Sequence, residues 1–504
     1  MRFLFAVIIA LVLLDLGMLP APRHPAEPNV IIISVDSLGA SHMGLYGYAR
    51  DTTPNIDAWA KSGWVFSNYF ASSYLTPISE ASVQTGQYPF TNGMVSFTTN
   101  IRGTSETLAE ILKQNGYATA AFGSSPEFSN DGPLGESFSR GFDTYQPFPV
   151  PKPGTSFVAE RASAAPVDDA LSWLAKEKNA AHPFYLWLPL GGAHEPYNDG
   201  APPLYEILSY NGFLKHIAND SFYNAYGFIY GGTRYAIGDP TKTNARLAAL
   251  GSFTAADEQY LVARYDDGIH ATDAMLGKLF AYLKKSGLDH NTIVVLESEH
   301  GETMGERQYF WHYDIHDETT HVPLVIALPG IGGKTVTALT SGVDVMPTLL
   351  SFLHIAPPSG LDGMNDAPYL KELSATPPRQ DVFITRTPLW EVTGGIVPAL
   401  EKPDATAHYH DTAIRSAKWL LIHRLSRDVL AKYGWWGLLT GTPQKLPEYQ
   451  LYDVAADPGE TMNVYAAHEN DLDVEALRVK LAAFDASNAA EKLEPSTGAP
   501  QPYF

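Results

Sequence analysis

The sequence predicts an α/β protein with a largely parallel central sheet and a smaller α+β domain at its C-terminus. Three observations carry this. Residues 29–35 (NVIIISV), 183–188 (PFYLWL), 292–298 (TIVVLES) and 322–328 (VPLVIAL) are almost continuously apolar and β-branched, as strands buried on both faces are. Helical segments alternate with these runs, which is the order that parallel crossovers produce. Beyond about Ser374 the pattern changes: VFITRT, AIRSAKWLLIHRL and YQLYDV read as shorter strands of a half-exposed sheet. Residues 472–484 read as an amphipathic helix packed on that sheet.

Taken in order, the chain opens with residues 3–14 (FLFAVIIALVLL), an apolar run behind a single basic residue, Arg2. Twelve apolar residues are short for a membrane span and suit the hydrophobic region of a signal peptide. The candidate cleavage position at Ala21 is followed by Pro22, so an uncleaved anchor over residues 3–19 stays open beside a cleaved signal. Either way the body of the protein is expected to be exported, to the periplasm or outside the cell. The anchored form would associate with the membrane through its N-terminus.

The expected division is a leader or anchor with linker at 1–27, a catalytic domain at 28–374, the C-terminal α+β domain at 375–485 and a polar tail at 486–504. Within the catalytic domain, helices are expected at about 55–62, 106–115, 255–285 and 344–354, and strand-like segments at 64–70 and 117–122. Asp344 is expected to cap the last of these helices, with Pro347 in its first turn. Residues 197–252 are rich in Gly, Asn, Pro and Tyr and show no period, so they read as an inserted lid or substrate wall. In the C-terminal domain, Asp457, Pro458, Gly459 and Glu460 read as a structural turn.

Composition narrows the class. The chain has 504 residues, 45% hydrophobic and 18% charged, enough for one large core and a second domain. A net charge of −21 repels polyanions, so nucleic acid is excluded as the expected partner, whereas a small anionic substrate is not. There is no cysteine, which removes thiolate nucleophiles and thiolate metal sites.

In an open α/β sheet, ligands bind beyond the carboxyl ends of the strands. Asp36 follows the first buried run, His194 another, and Glu299 with His300 a third. Each alone reads as a cap or turn residue. Together they mark one edge, where buried charged groups are costly unless paired or metal-bound. Asp36, Glu299 and His300 supply two carboxylates and an imidazole, a donor set for one divalent cation. The imidazole favours zinc or manganese over calcium or magnesium. His312, His316 and His321, the first two four residues apart, hint at a second metal but read more simply as exposed or capping residues near a strand start. Thr76, followed by Pro77, Ser79 and Glu80, reads as the N-cap of a short helix closed by Gly86.

These residues sit in motifs that resemble the sulfatase branch of the alkaline phosphatase superfamily, which includes sulfatases, phosphonate and phosphodiester hydrolases, and phosphoglycerol or phosphoethanolamine transferases. The motifs run in order: NVIIISVDSLG, YGYARDTTPNID, the Thr76 stretch to TGQYP, PFYLWLPLGGAHEPY, NTIVVLESEHGETMGE, HVPLVIALPG, DVMPTLLSFLHI and LYDVAADPGETMN. The resemblance implies an alkaline-phosphatase-like α/β sandwich. It also implies Asp36, Glu299 and His300 as metal ligands, and Thr76 as a nucleophile whose oxygen touches the metal. His194 aligns with a histidine that contacts the substrate anion or leaving group, and His312 lies near the position of another anion-contacting residue.

The departures from the family pattern are informative. Ser37 stands where sulfatases carry a second aspartate, Glu299 where they carry aspartate, and Glu80 where they carry arginine. Thr76 occupies the position of the cysteine or serine that sulfatases mature to formylglycine, and threonine cannot take that route. Threonine there is what the phosphoryl-transferring relatives use. Three readings follow. The first is a metal-dependent hydrolase or transferase of phosphodiester- or phosphonate-type esters, the substrate a small anionic ester such as a lipid or glycan headgroup. The others are a sulfatase without formylglycine and a degenerate relative that binds anions or glycans without turnover.

Overall fold

The computed structural model describes residues 27–97, 99–128, 132–146, 165–194, 197, 204–205, 209–212, 254–304, 306, 310–312, 314–372, 376–387, 410–425 and 446–490. The expected leader or anchor up to residue 26, most of the 197–252 insertion and residues 491–504 of the tail lie outside the described residues.

Eight strands form the central sheet: β1 (Asn29–Val35), β2 (Trp64–Phe66), β3 (Ala118–Phe122), β4 (Thr144–Gln146), β5 (Phe184–Leu190), β6 (Thr292–Glu297), β7 (Leu324–Ala327) and β8 (Lys334–Val336). Their order is β8-β2-β7-β6-β1-β5-β3-β4. Only β7 runs against its neighbours, pairing antiparallel with β6 and β2. At the centre β1 lies parallel between β5 and β6, with Ile33 opposite Leu188 on one side and Leu296 on the other. Every residue of β1 and β5 is buried, which is why both read as unbroken apolar runs. The two polar residues of β1 are both bonded across to β5: Asn29 Oδ1 accepts the Phe184 amide at 3.1 Å, and Ser34 accepts a hydrogen bond from Trp187 Nε1 at 3.1 Å. The expected strand at 64–70 is two strands, since Tyr69–Phe70 leaves the sheet to pair with Thr340–Ser341.

Four helices position the site. Helix α1 (Pro54–Ala60) is fastened to the long α4 (Ala255–Ser286) through Asp273, whose carboxylate accepts the amides of Asn55 and Ile56. Helix α2 (Thr76–Thr85) is buried along its whole length and ends at Gly86, φ +65°, the left-handed conformation glycine adopts at low cost. Helix α3 (Leu108–Gln114) starts with the Thr107–Glu110 capping box, and α4 with the equivalent Thr254–Asp257 box.

The C-terminal sheet contains β9 (Asp381–Arg386), β10 (Asp411–Ser416), β11 (Trp419–His423) and β12 (Tyr449–Asp453), all antiparallel in that order. It is not half-exposed as expected. Ile414, Trp419, Leu421 and Leu451 pack under the helix Leu472–Ala490, while Ala413, Leu420, Ile422 and Tyr452 on the other face join the main core. That helix continues five residues past the expected start of the tail. The Asp457 turn forms, its carboxylate accepting the amides of Thr461 and Met462 at 2.7 and 2.8 Å. Next to it, buried Glu460 accepts the amide of Asp317 at 3.1 Å and ties the turn to the catalytic part.

Asp344 does not cap the helix Val345–Phe352 with its side chain. Its carboxylate instead accepts the Ser341 amide and receives Arg379 through two nitrogens, at 2.8 and 2.5 Å. Burial and the neighbouring Asp344 push Asp366 up to about 8, so Arg379 is the cation that keeps this acidic pocket ionised in part. Replacing Arg379 with Met would leave Asp344 buried and unpaired. Such a loss costs about 3–5 kcal/mol. Urea denaturation followed by circular dichroism should show a lower midpoint, the shift multiplied by the m-value giving a loss of that size.

Candidate active site

The side-by-side placement of β5, β1 and β6 brings their carboxyl ends to one edge. Asp36 follows β1, and its amide donates to Leu190 O at 2.8 Å, which fastens it to the end of β5. The turn behind it is tight. Ser37 has φ +61°, and the hydroxyl of Tyr265 on α4 donates to Ser37 O at 2.5 Å and accepts the Gly39 amide at 2.9 Å. Ser298, after β6, accepts the Leu38 amide at 3.1 Å and donates to His300 O at 2.7 Å. One serine thus links the two loops that carry Asp36 and His300.

Asp36, Glu299 and His300 each place a potential ligand atom within 4.8 Å of the others, and none is more than 2% exposed. His300 Nδ1 lies 3.0 Å from Gly301 O. A carbonyl only accepts, so Nδ1 carries the proton and the lone pair of Nε2 faces the site. Burial, and after it His312, pushes His300 down to about 3, so the ring is neutral, as a ligand must be. Glu299 is held well above the usual carboxylate range by burial and then by Asp36, and its Oε2 is buried without a hydrogen-bond partner. An orphaned carboxylate oxygen beside a second carboxylate and a neutral imidazole fits a divalent cation.

Thr76 is not the N-cap that the sequence suggests. Leu75 holds that position in extended conformation, and Thr76 is the first helical residue. Its hydroxyl is therefore free of capping. Thr76 Oγ1 lies 3.0 Å from His300 Nε2 and 3.4 Å from Asp36 Oδ1. The oxygen sits at the metal-binding set and at the start of a ten-residue helix, where backbone amides and the helix dipole favour an anion.

The structure also brings His194 and His312 to this place. The His312 ring centroid is 4.3 Å from that of His300 and 5.1 Å from that of His194, and both rings are buried. His312 Nδ1 is 3.3 Å from Glu302 Oε2, an orientation that turns Nε2 away from that carboxylate. His316 is elsewhere: its Nδ1 lies 2.8 Å from Asp314, which also binds Arg424 of the C-terminal sheet at 2.9 Å. Ser125, which carries no sequence signal, has Asp36 Oδ2 at 3.1 Å and Glu127 Oε2 at 2.6 Å within reach of its hydroxyl, and Glu80, the departure noted in the sequence, groups with Glu297 and Glu299 from inside α2.

Comparison with known proteins places this geometry. Residues 28–355 match the family model described as Sulfatase. The chain is 28% identical to an ulvan-active sulfatase of Formosa agariphila over 72% of its length and 69% of the relative's. It is 25% identical to an N-acetylglucosamine-6-O-sulfatase of Bacteroides thetaiotaomicron, over 89% and 85%. Among solved structures it resembles a protein in complex with its substrate D-glucosamine-2-N,6-O-disulfate, with a TM-score of 0.66, 20% identity and 94% and 100% coverage. It also resembles the phosphonate monoester hydrolase of Agrobacterium radiobacter, with a TM-score of 0.65, 21% identity and 93% and 97% coverage.

The donor set makes a graded expectation. Loss of an outer partner of a ligand weakens metal binding by roughly 10–100-fold. Ser125→Ala should reduce Zn²⁺ affinity within that range, and His300→Ala should reduce it further. Competition against a chromophoric chelator measures both.

Proposed function

The chain belongs to the sulfatase family, and from that premise we propose that it is a metal-dependent hydrolase or transferase of phosphodiester or phosphonate esters, with Thr76 as nucleophile. The observation that carries the proposal is the uncapped Thr76 hydroxyl, 3.0 Å from His300 Nε2 and 3.4 Å from Asp36 Oδ1, in a chain with no cysteine.

Asp36, Glu299 and His300 would hold one divalent cation, zinc or manganese by the nitrogen donor. That ion would stabilise the Thr76 alkoxide and polarise a phosphoryl oxygen. Asp36 is the carboxylate within reach of the hydroxyl proton. Thr76 Oγ1 then bonds to phosphorus as the ester oxygen leaves with its electron pair. His194 or His312 protonates that oxygen as general acid. Water or an acceptor alcohol next attacks the phosphothreonine and frees Thr76. The amides at the start of α2 face the phosphoryl oxygens in both steps. Export, with residues 1–27 as leader or anchor, belongs to the same proposal.

The names of the relatives favour a second reading, a sulfuric ester hydrolase acting on a sulfated glycan. It needs a nucleophile other than formylglycine, and Glu80 stands where the family's sulfate-binding arginine is expected.

The zinc- or manganese-loaded full chain, assayed on aryl phosphodiesters, phosphonate monoesters and sulfate esters, distinguishes the readings. Turnover of the phosphorus esters should fall by about four orders of magnitude or more in Thr76→Ala. Mass spectrometry of quenched wild-type reactions should find phosphate on the Thr76 peptide. Turnover of sulfate esters alone overturns the proposal, and no turnover with no bound metal favours a non-catalytic anion- or glycan-binding protein.

A further inference from the structure

Behind Thr76 lies a second group of carboxylates that the proposed reaction does not use. Glu80 is one turn into α2 and Glu297 ends β6. Each places a carboxylate oxygen within 4.8 Å of the other and of one from Glu299. All three side chains are buried. Glu80 Oε1 accepts from Gln84 Nε2 at 2.7 Å, and Tyr185 in turn donates to Gln84 Oε1 at 3.1 Å. Glu80 Oε2, both oxygens of Glu297 and Glu299 Oε2 accept from no fixed donor, although Glu80 and Glu297 are close enough to share a proton and Ser34 lies beside both. Among the described residues no Lys or Arg forms an ion pair with any of the three.

Tyr69 is a further buried group under the influence of these carboxylates. Its hydroxyl is fully buried and has no hydrogen-bond partner. Burial, then the charges of Glu297 and Glu80, hold it well above the ordinary phenol range. A buried group of carboxylate oxygens that no fixed donor satisfies is the lining of a cation site.

Charge decides how many cations are needed. Asp36, Glu80, Glu297 and Glu299 are four carboxylates in one enclosed volume. Fully ionised, the four carry a charge that two divalent ions balance and one does not; with no inner ion, burial favours protons on Glu80 and Glu297, which an inner cation would displace. The donors also differ between the two ends. The Thr76 side includes an imidazole, while the inner group is all oxygen, the shell that hard cations take.

We propose that Glu80, Glu297 and Glu299 form a second cation site for a hard divalent ion such as Mg²⁺, Ca²⁺ or Mn²⁺, with Glu299 bridging it to the ion held by Asp36 and His300. The inner ion adds positive charge beneath Thr76, where the family pattern places an arginine. This rests on the first site holding an ion, and the test separates the two.

Chelator-stripped full-length chain is dialysed against Mn²⁺, which accepts both donor sets, and metal content is measured by mass spectrometry alongside electron paramagnetic resonance. Two equivalents per chain with an exchange-coupled spectrum are expected. Glu80→Gln combined with Glu297→Gln should drop the content to one and leave an uncoupled signal. One equivalent in the wild type overturns the inner site and leaves the outer one standing, whereas none overturns both. Two equivalents with isolated-ion spectra, or two in the double variant, place the extra ion elsewhere and overturn the proposal. Should the double variant not fold, the wild-type content and spectrum decide alone.

Discussion

The structure depends on how it tolerates negative charge at the centre of its sheet. Three parallel strands end side by side, and the two outermost loops of β1 and β6 deliver Asp36 and Glu299 into a space closed to solvent. Glu297 and Glu80 add to it from the last strand residue and from α2. Among the described residues no guanidinium or ammonium forms an ion pair with Glu80, Glu297 or Glu299. Isolated buried carboxylates either take up protons or bind cations. The neutral His300 ring, with its proton fixed on Nδ1 by Gly301 O, is arranged for the second outcome at the Thr76 side. The rigid surroundings of that edge follow from the same demand. Tyr265 and Ser298 hold the loops from behind, so that mutual repulsion cannot spread the carboxylates apart.

The start of α2 shows how a local signal was displaced by a tertiary one. Thr76-Pro77 has the composition of a cap and first helical turn, but the cap position falls to Leu75, whose side chain cannot accept a backbone amide. A threonine cap would have used its oxygen on an amide of the second or third helical residue. Here the oxygen is directed at His300 and Asp36, and the first amides of α2 keep no side-chain partner at the cap. The helix loses local stability and keeps a buried hydroxyl uncapped, beside amides that could bind an anion.

Much of this was legible in the chain. β1 coincides with its apolar run, α4 with its period, and Asp36, Glu299 and His300 meet because they follow adjacent parallel strands. The reversal of β7 was not, since a strand buried on both faces reads the same in either direction. The C-terminal strands looked half-exposed because their second face is covered by the catalytic part, a contact that alternation within one strand cannot reveal. Glu80 and Glu297 are 217 residues apart, and Glu80 alone looks like an ordinary first-turn acid. Asp344 likewise looked like a cap, because its partner Arg379 lies beyond any local window.

Glu80 is where the chain departs furthest from the pattern its family suggests. An arginine there would bring a fixed positive charge to the anion site, independent of metal. A glutamate reverses that charge, and Glu297 reinforces the reversal from the neighbouring strand. Histidines 194 and 312 offer rings rather than permanent cations. Attraction for a substrate anion at Thr76 must then come from the amides of α2 and from whatever cations the carboxylates hold. Amides alone supply a partial charge at a helix start, equivalent to roughly half an elementary charge. Against four buried carboxylates that is too little, so in the proposed reaction metal binding comes before substrate binding. In that proposal cation and anion affinity are coupled, because the same carboxylates that would repel the substrate are the ones that would recruit its counter-charge.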